Sequence, residues 1–290
     1  MVQIVQSLAE ISDRYDAVFC DLWGCLHDGV EALPDAVDAL RSFKARGGKV
    51  VLLTNAPRPR ADVARQLDRF GVPTDCWDTI ATSGDSARVA MFRGIIGDKV
   101  WFMGQDYDLT FFEPPKIVED PTPVERVELK EATGIACLGP FDPHADPSVN
   151  RPEFLYAKQK GLKLLCANPD IVVDRGGVRE WCAGALAELY SEMGGESLYF
   201  GKPHPPVYTL ARQRLSALGA DVPDSRILCI GDGIGTDIKG ALGEDLDSLF
   251  ITGGLAKEET KTTDQPDQAA LEAYVADFQI TPTYAIGFLR

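Results

Sequence analysis

The chain is short of cations and of histidine. Lys and Arg number 29 against 44 Asp and Glu, only three histidines occur in 290 residues, and the formal net charge is −15. A surface that neutralises nucleic-acid phosphates needs clustered Lys and Arg, so a nucleic-acid partner is excluded as the main ligand. An acidic chain can still hold a small phosphate, provided a metal ion and a few local cations reverse the field at one site. Apolar runs of 18 residues are absent, and residues 1–16 carry polar and acidic side chains where a secretory leader has a basic start and an apolar centre. These absences point away from a membrane and toward the cytoplasm. No Cys-x-x-Cys occurs, and the seven cysteines fall mostly inside apolar runs such as Leu164-Leu165-Cys166-Ala167. They read as small buried hydrophobes, not as disulfide partners or paired zinc ligands.

What is present is an alternation of short β-branched runs with segments of helical period, the pattern of an α/β protein with a doubly wound parallel sheet. Ala17–Leu22, Lys49–Thr54, Asp78–Ala81, Lys99–Met103, Ile135–Leu138, Leu162–Cys166, Leu198–Phe200, Arg226–Ile230 and Asp247–Thr252 are predicted strands. Helices are predicted over Asp35–Arg46, Arg60–Phe70, Asp85–Arg93, Arg151–Lys160, Trp181–Met193, Val207–Leu218 and Gly235–Leu242. The Pro- and Asp-rich stretches Glu113–Pro123 and Gly139–Pro152 interrupt the rhythm. They mark an inserted unit.

Four polar clusters follow predicted strands, at the carboxyl ends where open α/β sheets bind ligands. They are Asp21, Thr54-Asn55, Lys202, and the turn Gly231-Asp232-Gly233-Ile234-Gly235-Thr236-Asp237. A carboxylate, a hydroxyl, an ammonium and an acidic pair suit phosphoryl transfer through an aspartyl-phosphate. Asp21 would attack phosphorus, and Mg²⁺ would bridge Asp21 and Asp232 to the phosphate, since it takes oxygen ligands and often only one or two carboxylates. Thr54 and Lys202 would meet the charge that spreads over the equatorial oxygens. Taken singly, each cluster also reads as turn or loop chemistry; the order of all four is the specific signal.

That order resembles the haloacid dehalogenase superfamily, and within it the class IIA branch. Asp21, Thr54, Lys202 and Asp232 with Asp237 match its four motifs. Gly201-Lys202-Pro203-His204-Pro205 is similar to the branch's Gly-Lys-Pro-Ser-Pro, and Ala167-Asn168-Pro169-Asp170 to its Thr-Asn-Pro-Asp. The resemblance implies a Rossmann-like core from residues 1–85 and 199–290 and an inserted α/β cap over 86–198. It implies a Mg²⁺-dependent phosphatase of small phosphorylated metabolites such as sugar, polyol or nucleotide phosphates. It also implies that the Trp23 carbonyl, Asp21, Asp232 and Asp237 serve the metal, and that Asn55, Asn168 and Asp170 lie near substrate, with His27 and Asp28 facing the cap. Family members often pair through their caps, so a homodimer is a further expectation.

Three positions depart from the pattern. Trp23 stands where the family's phosphatases have an Asp that protonates the leaving oxygen and activates the hydrolytic water, a loss typically worth about 10²–10⁴ in rate. Asn55-Ala56-Pro57-Arg58-Pro59 lacks side-chain donors of the usual second motif, and Cys182 replaces a common Gly. Trp23 has three readings: a packed aromatic with the acid role lost, a site where His27 or Asp28 substitutes, or a sign that the leaving group needs no proton. It also favours an alternative to catalysis, a capped domain that binds a phosphorylated ligand with little or no turnover. His144 and His204 read as loop and turn residues.

Overall fold

The computed structural model describes residues 2–175 and 178–290, and the chain forms two compact units. The first comprises residues 1–54, 64–81 and 202–290, the second residues 55–63 and 82–201. The chain leaves the first unit after Thr54 and re-enters it for good at Lys202.

In the first unit a seven-stranded sheet runs in the order Gln3–Ile4, Tyr284–Ile286, Asp247–Ile251, Ile227–Gly231, Ala17–Cys20, Lys49–Thr54, Thr79–Thr82. The first six strands pair in parallel, with Ile230 opposite Cys20 and Cys20 opposite Leu52. That register brings the ends of the central strands level, and the Asp21 amide donates to the Ile230 carbonyl at 2.8 Å. Strands buried on both faces must be apolar throughout, which is why Ala17–Cys20 carries no polar side chain. Phe19, Val51, Leu53 and Cys229 pack with Tyr208, Leu210 and Leu215 of the helix Pro205–Ser216. Phe250 packs with Leu271 and Val275 of the helix Gln268–Phe278.

The second unit is built on its own parallel sheet, ordered Glu196–Tyr199, Lys163–Cys166, Gly134–Cys137, Lys99–Met103, Glu125–Arg126. Successive strand residues face opposite sides. Ile135, Cys137, Leu164 and Cys166 accordingly join Phe154, Leu186 and Tyr190, while Val100, Ala136 and Leu165 join Ala87, Met91 and Phe92. An antiparallel ribbon pairs Val172–Arg175 with Val178–Trp181.

Two predicted helices change. The one expected from Trp181 begins at Ala183, because Trp181 closes the ribbon opposite Val172. The one expected over Gly235–Leu242 opens with a wide π-turn, Ile234–Ile238, before the helix Lys239–Gly243. Among the described residues no helix is long and apolar enough to cross a membrane.

Candidate active site

The centre of the site is assembled wholly within the first unit. Asp21 follows the strand Ala17–Cys20, Asp232 follows Ile227–Gly231, Asp237 lies in the π-turn, and Lys202 precedes the helix Pro205–Ser216. All four are buried. The Lys202 Nζ donates to the Asp21 Oδ1 at 2.6 Å and to the Asp237 Oδ1 at 2.7 Å. Asp237 is pinned from its other oxygen, which accepts from the Gly233 amide and the Thr236 hydroxyl, each at 3.2 Å. The π-turn makes this arrangement, since the amides of Asp237 and Ile238 both converge on the Gly233 carbonyl. Such wide turns often sit at functional sites.

Asp232 is held by a different device. Its Oδ2 accepts from the Leu255 amide at 3.1 Å, and it lies in a cradle of two glycine backbones. A Cβ on Gly24 would come within 2.2 Å of that oxygen and one on Gly254 within 2.1 Å. Gly24 has a φ of +68°, a conformation that bulkier residues adopt at a cost. Only a glycine turn lets the loop after Asp21 approach the second carboxylate this closely.

The electrostatics follow from the count. Three carboxylates share one ammonium. Burial works against the Lys202 charge, but Asp21 and Asp237 outweigh it and hold its pKa above the usual range. Burial, then Asp21 and Asp237, push the Asp232 carboxyl well above the usual carboxylate range. Burial raises Asp237 to about 6, with Asp21 adding to the rise and Lys202 opposing it. With all three carboxylates ionised the group carries two negative charges in excess in a region shielded from water, and a divalent cation would neutralise them. The donors fit a hard cation, because a carboxylate oxygen from each of Asp21 and Asp232 converges within 4.8 Å.

The third donor of that group is the Cys25 sulfur, which the sequence reading had placed among the inert hydrophobes. The signal was available. Cys25 lies only four residues beyond Asp21, across the Gly24 turn.

Thr54 ends its strand, buried, in the first unit. Asn55, Asn168 and Asp170 belong to the second unit, where the Asn55 Nδ2 donates to the Asp170 Oδ1 at 2.8 Å and the Asn168 Oδ1 accepts from the Asp170 backbone amide at 3.1 Å.

Trp23 is half-buried and lies over Gly29, where a Cβ would come within 2.1 Å of the indole. Its ring meets that of His27 edge-on at 5.4 Å, and His27 in turn meets Phe70 at 5.0 Å. His27 is therefore closed off inside its own loop, and its Nδ1 accepts from the Gly29 amide at 3.0 Å. The structure gives it a packing role in place of the expected substrate contact. Burial lowers its pKa to about 4, which leaves it neutral near pH 7. Asp28 is exposed, and its carboxylate is held below its usual range by the amides of Glu31 and Val30. Neither residue carries a proton to give at neutral pH. His144 is exposed and His204 half-buried.

Comparison with known proteins fits this geometry. The family model for haloacid dehalogenase-like hydrolases matches residues 18–114, and a second, for HAD-hydrolase-like domains, matches 199–278. A crystal structure of a haloacid dehalogenase-like hydrolase from Brucella suis superposes with a TM-score of 0.83 at 36% identity, covering 99% of this chain and all of that one. A 5'-nucleotidase from Bacillus subtilis is 23% identical over 268 residues, 86% of this chain and 92% of its own. The fold is shared by glycerol phosphate phosphatase from Mycobacterium tuberculosis, solved in complex with calcium, at a TM-score of 0.67 and 20% identity over 95% of this chain and 74% of that one. By its four motifs, its fold and these matches, the chain belongs to the haloacid dehalogenase-like hydrolase family, in its class IIA branch.

Proposed function

We propose that the protein is a Mg²⁺-dependent phosphatase of small phosphorylated metabolites, such as sugar, polyol or nucleotide phosphates, working through an aspartyl-phosphate on Asp21. The observation that carries this reading is the buried group of three carboxylates around one lysine, which is short of positive charge by the amount a dication supplies. A 5'-nucleotidase and a glycerol phosphate phosphatase among the similar proteins support the substrate class.

In the first step an Asp21 oxygen attacks phosphorus, an O–P bond forms, and the bond to the leaving oxygen breaks. Lys202 holds the other Asp21 oxygen and so fixes the angle of the attacking one. The Thr54 hydroxyl and the Lys202 ammonium meet the charge on the phosphoryl oxygens. Asp21, Asp232 and the Trp23 carbonyl would hold the cation, with Asp237 supporting it through Lys202. A bound Mg²⁺ would supply the positive charge that offsets the carboxylates and polarises the phosphoryl group.

The second reading rests on Trp23. An indole cannot protonate a leaving alkoxide or activate water, and neither His27, neutral, nor Asp28, ionised, is in the form that serves as an acid for the leaving group. Such a site suits a substrate whose leaving group is already a stable anion, or a slow enzyme that binds a phosphorylated ligand as a sensor. A Mg²⁺-dependent screen of phosphate esters separates them. Turnover that Asp21→Asn abolishes supports the phosphatase; saturable binding with no turnover on any ester sinks it.

A further inference from the structure

We propose that Asp21, Cys25 and Asp232 form a mixed oxygen–sulfur site for a thiophilic dication, Zn²⁺ or Cd²⁺, that captures Asp21 and stops the enzyme. The inhibitory half of this proposal rests on Asp21 being the nucleophile; the binding half does not.

A carboxylate oxygen of Asp21, the Cys25 sulfur and a carboxylate oxygen of Asp232 lie within 4.8 Å of one another, and all three residues are buried. Bonds of about 2.0–2.3 Å to a tetrahedral Zn²⁺ set its donors roughly 3.3–3.8 Å apart. These donors need to close by little more than an ångström, and the fourth position remains for water or phosphate. The approach is fixed by Gly24, whose turn presses the loop onto Asp232. Mg²⁺ takes oxygen and ignores sulfur, whereas Zn²⁺ and Cd²⁺ favour thiolate, so one pocket distinguishes two classes of ion.

Cys25 also differs from Cys20, Cys76 and Cys166. The sulfurs of Cys20, Cys76 and Cys166 donate to backbone carbonyls, while the Cys25 sulfur enters no hydrogen bond among the described residues. Among those residues, no second group of three His, Cys, Asp or Glu side chains converges in this way. On binding, the S–H bond breaks, the S–metal bond forms, and the proton passes to solvent.

The test is titration of the full chain with Cd²⁺, read by the ultraviolet sulfur-to-cadmium charge-transfer band. One equivalent is expected to raise the band in the wild type and in Cys166→Ser. In Cys25→Ser the band is expected to vanish, and in Asp232→Asn to need at least tenfold more Cd²⁺. Absence of the band in the wild type, or its persistence in Cys25→Ser, overturns the site. In a phosphatase assay with Mg²⁺, Zn²⁺ is expected to inhibit the wild type reversibly by chelation. The inhibiting concentration, read against each variant's zinc-free rate, is expected to rise at least tenfold in Cys25→Ser. An unchanged inhibiting concentration overturns the inhibitory role. Should no variant turn over any ester while the Cys25-dependent band is present, the phosphatase reading fails and the metal site stands.

Discussion

Arg88 and Asp85, buried together in the second unit, answer each other fully. The guanidinium donates to the Asp85 Oδ1 at 2.7 Å, to the Phe111 carbonyl at 3.1 Å and to the Glu113 carbonyl, while the Asp85 Oδ2 accepts from the Arg60 amide at 3.2 Å. The group in the first unit is built otherwise, with Lys202 serving Asp21 and Asp237 and no second cation for Asp232 among its described hydrogen bonds. Both groups are equally dry. A balanced pair closes a loop and needs nothing more. An unbalanced one raises the pKa of its own members and so invites a ligand.

Four substitutions test that contrast. The largest effect is expected from Lys202→Met, which leaves three carboxylates with no cation. Its stability in urea without metal should fall by about 5 kcal/mol, the upper end for a broken buried pair. Arg88→Met should cost about 3–4 kcal/mol by the same measurement, with no dependence on Mg²⁺. A milder result for Lys202→Met than for Arg88→Met would break the contrast.

His27 comes next, as a buried group kept neutral. Its folded pKa of about 4 lies below the ordinary 6.5, so its contribution is present above pH 6.5 and is lost as the pH falls toward 4. About 3 kcal/mol should disappear across that window, and His27→Phe should lack that part of the slope in urea melts at stepped pH.

The smallest effect has the opposite sign. Asp232→Asn removes a carboxyl that burial and its neighbours make costly to ionise, and should stabilise the metal-free protein by about 1–2 kcal/mol, while abolishing the rise in melting temperature that Mg²⁺ is expected to give the wild type. Loss of stability in Asp232→Asn would show that its charge is already matched.

Much of the sheet was legible because its strands are apolar without interruption. Lys49–Thr54 and Lys99–Met103 stand where the sequence reading put them. The shortest strands were not. Gln3–Ile4 and Glu125–Arg126 are two residues long, and Tyr284–Ile286 only three, too short for any period to register. The helix Gln268–Phe278 was also overlooked. Of the site, Asp21, Lys202, Asp232 and Asp237 could be named because each follows a strand, and the structure brings them into one group. The place of Cys25 depends on a left-handed glycine and the angle of a turn, neither of which composition records. His27 misled for a related reason, since its closure by Trp23 and Phe70 joins residues 43 positions apart.

Trp23 gives the protein an optical reporter beside its own chemistry. The chain has four tryptophans, and only this one shares a turn with Asp21 and Cys25. Its indole lies on Gly29 against a neutral imidazole, so its emission will respond to any cation, anion or proton that changes the field in that loop. The residue that took the place of an acid thus lets rearrangement of the loop after Asp21 be followed by fluorescence, with no label and no turnover.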